Sequence, residues 1–447
     1  MLNKDTVISV KTAVGLTGEI ETGENIGQGT TEGAVISAAS IDYTVGKSFE
    51  TSSAELSYGP VKLAPLLFQD DICRVAIRAE DAQKGNNILE SALETKLLDF
   101  NLDKSCYLIM GNKSARKTLE KQLRDNPLKL CKQDMQTAKV EKYLGDMLCE
   151  DGLGESVHST VLRRKGQTML TMMEICAIIK DCRVTSVGGI VAGIQIWETS
   201  VIPFLLNNCE TWVELRPKTT KILEEIQLKF LRNILATPIT CPQPALLWDT
   251  GCLSMEQRIA QKKLLFYHHL VSLPDDSLAS QVASVQEHLG FPGLVHECKK
   301  LMKSYSLSNI RSYSKQQWKC IVRKAVLIAN RNDLLEKAKN YKKIDDHTMS
   351  QEQSTLKPYF RELNVPDARL YFAVRSKMTK TVQMNYKGVD KFRKNHWKCV
   401  KCGVPDTQEH IVQCPDYEHL RCGKDLTDTK QLVEYYRKVI TVRESSM

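Results

Sequence analysis

No stretch of this 447-residue chain reads as a membrane span. The most apolar segment, Val184 to Leu206, has Glu198 in its middle, Pro203 near its end and Gly188, Gly189 and Gly193 at its start, so the expectation is a buried helical hairpin. A charged n-region followed by an apolar h-region is missing after Met1. The fifteen cysteines are odd in number and scattered singly. Together these absences argue against secretion and a disulfide framework, and for a reducing intracellular compartment, nucleus or cytoplasm. No fixed-period repeat and no low-complexity tract is present. Aromatics are sparse at 6%, yet 42% hydrophobic content is enough for ordinary cores and excludes wholesale disorder. At roughly 150 residues per domain, the length suggests two to four domains.

Acidic residues thin out toward the end of the chain. Residues 301–447 hold 29 Lys and Arg against 16 Asp and Glu, whereas residues 1–300 hold 33 against 37. Within Arg375 to Lys401 nine Lys and Arg face the single acid Asp390, with Tyr386, Phe392, His396 and Trp397 among them. That mixture suits a polyanion with stackable bases, and a solvated surface is the plain alternative.

The front of the chain has an α+β texture. Val61 to Phe68 and Ile72 to Ile77 are apolar runs parted by Gln69-Asp70-Asp71, a hairpin signal. Leu89, Leu93, Leu97 and Phe100 follow at helical spacing, and Cys106 to Met110 and Tyr143 to Leu148 return to strand-like composition. From about Glu155 the pattern becomes long and amphipathic, as in Ile222, Leu223, Ile226, Phe230, Leu231, Ile234 and Leu235, stopped by Pro238. A further helical block is expected over about Lys315 to Asn340.

Two constellations carry chemistry. Asp70-Asp71 would project from a rigid hairpin turn, where carboxylates can hold a divalent cation; a simple polar turn is the alternative. Cys399-x2-Cys402-x7-His410-x3-Cys414 offers three thiolates and an imidazole with Gly403 just past the knuckle, the donor set of a closed structural zinc site. His396, His419 and Cys422 lie nearby as spare ligands. His268-His269 has no partner at ligand spacing and is expected on a helix surface, while Trp197, Trp212 and Trp318 are expected in cores.

The order of several short motifs adds to this. Ile26-Gly27-Gln28-Gly29 precedes the Phe68-Gln69-Asp70-Asp71 hairpin; Asn101-Leu102-Asp103-Lys104-Ser105 and Lys142-Tyr143-Leu144-Gly145 follow it. Downstream come Val201-Ile202-Pro203, Cys209-Glu210-Thr211-Trp212 and the terminal Cys/His cluster. In this order the chain resembles the reverse transcriptases of non-LTR (LINE-like) retrotransposons over nearly its whole length. The resemblance implies an RNA-directed DNA polymerase lineage. It also implies a partial antiparallel palm sheet with helices (1–150), a helical thumb-like region (151–300), a basic helical region (301–395), a CCHC-type zinc knuckle (396–425) and a helical tail (426–447).

By the same resemblance Asp70 would be a Mg²⁺ ligand supported by Asp71. Gln28 and Gly29 would line the nucleotide pocket, and Lys104 would donate a proton to leaving pyrophosphate. Tyr143, Leu144 and Gly145 would form the strand that grips the primer. Arg163, Arg164 and Lys165, just past that strand, are placed to meet the primer backbone, with a solvated helix face as the equal alternative. Trp397, Lys398 and Lys401, with Tyr417, would give the zinc knuckle a stacking and phosphate-binding surface.

The chain also departs from the family. Glu32-Gly33 stands where Ser-Pro is common, and Gln69 replaces a small residue. The family's first metal-binding aspartate lies upstream of the Gln-Gly turn, where only 27 residues precede Gln28, and Asp42 falls on the following helix. Two-metal chemistry needs that bridging carboxylate. The expectation is therefore an inactive polymerase fragment with RNA and DNA as partners and another chain supplying the missing palm strand. The alternative is a non-catalytic nucleic-acid-binding protein acting through the basic tail and knuckle.

Overall fold

The fold is taken from a computed structural model that describes residues 6–8, 11–12, 15–16, 20–22, 31–50, 56–181, 187–290, 292–341, 353–379, 398–399 and 401–445. It is a mixed α+β protein, mostly helical, with small strand pairs. The described residues fall into two compact units. One comprises 1–142, 148–152 and 274–290, the other 143–147, 153–273 and 291–447.

In the first unit, β1 (Thr6–Ile8) pairs with β4 (Ile20–Thr22) and β2 (Lys11–Thr12) with β3 (Gly15–Leu16), ahead of helix α1 (Thr31–Glu50). Hairpins β5 (Leu56–Tyr58) with β6 (Val61–Leu63) and β7 (Leu66–Phe68) with β8 (Asp71–Cys73) precede α2 (Ala79–Glu94). Strand β9 (Cys106–Leu108), helix α3 (Lys113–Asp125), the hairpin β10 (Lys129–Leu130) with β11 (Gln133–Asp134), and β12 (Gln136–Ala138) follow.

The strands of the described residues form separate two-stranded pairs, and β12 runs parallel to β9, so they do not form the single antiparallel palm sheet expected from the sequence. Proline explains one break. Pro65 divides the run Val61 to Phe68 into β6 and β7, because it has no amide to offer a continuing ladder. Val45 and Phe49 of α1 and Leu89 and Leu93 of α2 form the local core, against which Leu67 and Ile72 pack from opposite positions of the β7–β8 hairpin. Leu97, expected on the same helical stripe, is instead 94% exposed. Helix α2 closes in a Schellman turn, with Leu97 left-handed at φ 55° and the Leu98 amide bonded to the Leu93 carbonyl at 3.2 Å.

Strands β13 (Val140–Tyr143) and β14 (Asp146–Cys149) form the last hairpin. The second unit is then helical: α4 (Leu153–Asp181), α5 (Gly189–Ile196), a π-helical turn Trp197–Val201, α6 (Ile202–Leu205), α7 (Pro217–Ile234), α8 (Gln243–Thr250) and α9 (Met255–Val271). Its remainder follows α10 (Leu278–Leu289), which packs on β6 of the first unit. It consists of α11 (Leu294–Ser304), α12 (Lys315–Lys339), α13 (Tyr359–Glu362), α14 (Val365–Arg375), α15 (Gln408–Gln413), α16 (Glu418–Arg421) and α17 (Thr429–Glu444).

The helical hairpin expected over Val184 to Leu206 is, in its described residues, one continuous helical run from Gly189 to Leu205, and residues 184–186 lie outside the described residues. Pro203 has no amide for the Thr199 carbonyl, and the ladder widens there to a π turn in which the Ile202 amide reaches the Trp197 carbonyl. Gly193 sits where a Cβ would overlap the side chains of Ile179 and Ile234, so its bare α-carbon lets α5 close on α4 and α7. Trp197 stacks on Phe230 with ring centroids 4.3 Å apart, inside a core that also holds Trp212, Trp248, Phe360 and Phe372. Among the described residues no helix is long and apolar enough to cross a membrane.

A candidate metal centre near the C-terminus

The Cys/His motif closes into one cluster. The ligand atoms of Cys399, Cys402, His410 and Cys414 all lie within 4.8 Å of one another and could hold a metal ion. Local chain geometry explains the closure. Lys398 bridges to Pro405, the Cys399 amide bonds the Val404 carbonyl at 2.7 Å, and the Gly403 amide returns to the Cys399 carbonyl at 3.0 Å. Gly403 has φ 76°, which a residue with a Cβ adopts only under strain. Thr407 caps α15 by accepting the His410 amide at 3.1 Å, which fixes the start of the helix that carries the imidazole. Cys414 ends that helix, its amide on the His410 carbonyl at 2.7 Å.

The geometry suits tetrahedral coordination. Sγ of Cys402 and Cys414 are 3.7 Å apart, close to the edge of about 3.8 Å that follows from metal–sulfur bonds of about 2.3 Å. His410 Nε2 faces Cys402 Sγ at 3.1 Å. Burial alone would raise the Cys399 thiol, but the backbone amides of Cys402 and Lys401 donate to it, and with the His410 and Cys402 side chains they bring it down to about 6. Burial pushes Cys414 up to about 12. The spare ligands His419 and Cys422 are exposed and outside the cluster, so Cys414 completes the set.

Around the ligands lies a shell that motif reading missed. Tyr417 is fully buried with its hydroxyl 3.9 Å from Cys399 Sγ, and Arg443 of α17 donates from Nε to that hydroxyl at 3.1 Å. The other two guanidinium nitrogens hold the buried carboxylate of Asp406, just before Thr407, at 2.6 and 3.0 Å. Tyr435 donates to the Ile411 carbonyl at 2.6 Å, and Tyr435, Tyr436 and Val439 share one core with Cys399, Cys414 and Tyr417. Among the described residues, the knuckle and helix α17 of the tail therefore share one core, with α17 as its buried wall. The tyrosines of α17, Tyr435-Tyr436, were the available signal. Buried as it is, Tyr417 cannot serve as the expected stacking surface. Lys398 and Lys401 are exposed, and Trp397 lies outside the described residues.

The remaining predicted site residues are dispersed. Asp70 and Asp71 stand exposed at the β7–β8 turn, Gln69 at φ 57° and Asp71 paired with Phe68. Lys104 is exposed in a turn between α2 and β9, its amide on the Asn101 carbonyl at 3.1 Å. Asp42 is exposed on α1. Gln28 and Gly29 lie outside the described residues. Among the described residues, Asp70 and Asp71 do not belong to any group of three or more His, Cys, Asp or Glu ligands. Leu144 (φ 46°) and Gly145 (φ 88°) are the turn of the β13–β14 hairpin and Tyr143 ends β13, so this triplet is a turn with one strand residue.

Arg163 is exposed and donates to the Gly145 carbonyl at 3.1 Å, and Lys165 is half-buried. Arg164 corrects its expected primer contact. It is 3% exposed, and its fork is used by the Asp146 carboxylate (2.7 Å) and the carbonyls of Gly145 (3.0 Å) and Asn207 (2.7 Å). Its place in the series Val157, Val161, Arg164, Thr168, Met172, one face of α4, was the signal that could have shown it. His268 is likewise buried rather than on a surface, with Nε2 2.8 Å from the Tyr313 carbonyl and its ring stacked on Trp318; His269 is exposed.

Compared with models of known protein families and with curated proteins, the chain matches none.

Proposed function

We propose that this chain is the later palm, the thumb and the C-terminal zinc-bearing part of a non-LTR retrotransposon reverse transcriptase, and that its own residues serve to bind RNA and DNA. The observation that carries the reading is the closed Cys399, Cys402, His410 and Cys414 cluster at the end of a chain whose Asp70-Asp71 pair stands at a hairpin turn ahead of Lys104. Three sulfurs and one imidazole at tetrahedral spacing suit zinc, which would supply fixed charge and folding free energy with no position left open for substrate. Lys398 and Lys401 flank the first two ligands and would meet phosphate, the sequence-independent part of nucleic-acid affinity.

Polymerisation needs two Mg²⁺ ions bridged by carboxylates, and among the described residues Asp70 and Asp71 have no third ligand. Leu66, Phe68, Val75 and Ile77, on and beside their hairpin, are exposed apolar side chains that suit a covering strand from a partner. The test uses the full chain with a primed RNA template, deoxynucleotides and Mg²⁺. The expected result is no extension, retention of a single-stranded oligonucleotide at low salt, and one bound zinc that Cys402→Ser removes. Extension that Asp70→Ala abolishes would restore the polymerase. Zinc stoichiometry unchanged in Cys402→Ser, or no oligonucleotide binding at low salt, would overturn the reading.

A further inference from the structure

Between Glu297 and Asp333 the chain carries nine Lys and Arg and no Asp or Glu, a stretch well apart from the basic segment near the zinc ligands. Folding sorts this stretch by face. On α11, Val295, Cys298, Leu301 and Met302 turn inward, the last two onto the core of Trp318, Val322 and Val326, while His296, Lys299, Lys300 and Lys303 follow at helical spacing on the exposed face. On α12, Trp318, Val322 and Val326 are buried, and Lys315, Lys319 and Arg323 ascend at four-residue steps, the first and last exposed and Lys319 half-buried. Lys315 and Arg323 are about 12 Å apart along the axis, a span that covers several phosphates of a strand. Arg311 is exposed in the loop between the helices, and Lys324 is exposed on α12. Lys300, Lys303, Arg311, Lys315, Lys319, Arg323 and Lys324 make no ion pair among the described residues.

A second feature lies in the same place. Tyr313, Gln316, Gln317, Cys320 and Ile321 line a shallow groove of about 430 Å³ at the start of α12. It joins an aromatic ring to side-chain amides, and Lys324 follows Cys320 by one helical turn. Tyr313 is half-buried and packs against Trp318 with ring centroids 6.1 Å apart, which fixes its position. Cations beside a partly apolar groove with an aromatic wall are what single-stranded nucleic acid uses: phosphates on the charges and a base against the ring.

We infer that α11 and the first half of α12 form a binding surface for single-stranded nucleic acid, with phosphates on Lys300, Lys303, Lys315, Lys319 and Arg323 and a base in the Tyr313 groove. The inference rests on the nucleic-acid reading above and places the contact on a surface separate from the zinc module. Its energetics are electrostatic, so salt dependence is the direct readout. Each single-strand phosphate contact contributes about 0.7 to the slope of log affinity against log salt.

The test compares the full chain with two triple variants, Lys299→Gln/Lys300→Gln/Lys303→Gln and Lys315→Gln/Lys319→Gln/Arg323→Gln, and with Lys398→Gln/Lys401→Gln, using a labelled single-stranded oligonucleotide at several salt concentrations. The first triple variant, which removes the contacts of Lys300 and Lys303, should lower the slope by about 1.4 and the second, which removes three, by about 2, both leaving the thermal midpoint in place, and Gln316→Ala should weaken binding at unchanged slope. Slopes unchanged in both triple variants, with binding lost only in Lys398→Gln/Lys401→Gln, would overturn this surface and leave the nucleic-acid reading standing. A full chain that binds no oligonucleotide would overturn both. Triple variants that lose phosphatidylserine vesicles but keep the oligonucleotide would assign the surface to lipid and overturn it as well.

Discussion

Tyr417 owes its direction to Arg443. A guanidinium has donors only, so Nε of Arg443 donates to the Tyr417 oxygen and leaves the phenolic proton free to turn toward Cys399 Sγ, which becomes an acceptor once it is a metal-bound thiolate. Bonds of this kind orient metal ligands and tune their basicity, and their loss typically costs about 10- to 100-fold in affinity. Tyr417→Phe, which removes only the hydroxyl, should weaken zinc by a factor in that range in competition with a chromophoric chelator, with the helical signal retained.

A second residue-scale outcome concerns Glu224. Burial pushes its carboxyl up to about 6 against the amides of Met255 and Glu256, which pull it down. The folded state therefore holds this proton more tightly than the unfolded chain does. Stability from this group is full below the ordinary value of 4.5 and declines as pH rises through about 6. Glu224→Gln should be more stable than the parent at pH 7.5, by up to about 2 kcal/mol, and no more stable at pH 4, as read from urea midpoints. The four residues of the Cys/His cluster were legible because their spacing is short and their chemistry narrow. Asp406 and Arg443 were not, because an ion pair spanning 37 residues between common residue types leaves no local pattern.

Helices α7 and α12 show what periodicity delivers. Pro217–Ile234 buries Leu223, Ile226, Phe230, Leu231 and Ile234, the stripe read from spacing and stopped by Pro238, and Lys315–Lys339, with Asn340 as its C-cap, falls on the block expected there. Periodicity failed where the backbone changes without changing composition. The stripe of α2 ran past Glu94 because a leucine occupies a left-handed position usually given to glycine. Over Val184 to Leu206 a helical hairpin was expected, yet Gly193 is there for close helix approach, a role that depends on Ile179 and Ile234 from other helices. Gly193→Val should force α5 away from α4 and α7 at a cost of about 1–3 kcal/mol, visible as a lower thermal midpoint.

At the scale of the whole molecule, the α+β front and helical remainder were readable as a change of texture near residue 150, but the way the elements assort was not. Helix Leu278–Leu289 belongs with the first unit although its sequence neighbours α9 and α11 belong to the second, and no amphipathic pattern says which of two cores a helix joins. A single palm sheet was expected because short strands with alternating texture look alike whether they pair locally or across a sheet; here each of the antiparallel pairs is local.

Hairpin turns are ordinarily where a chain breathes most, opening to solvent at little free-energy cost. The turn at Leu144-Gly145 is built against that. Arg164 binds the Gly145 carbonyl and Asp146, Asn208 reaches Leu144 and Asp146, and the Met147 amide is held at 2.8 Å by Thr160, itself buried on α4. To release the Met147 proton the chain has to withdraw Thr160, and with it the face of α4 that carries Val157, Val161 and Arg164. In deuterated buffer that proton should exchange on the timescale of the α4 core. Arg164→Lys, which keeps the charge but not the fork, should accelerate it to that of an ordinary loop.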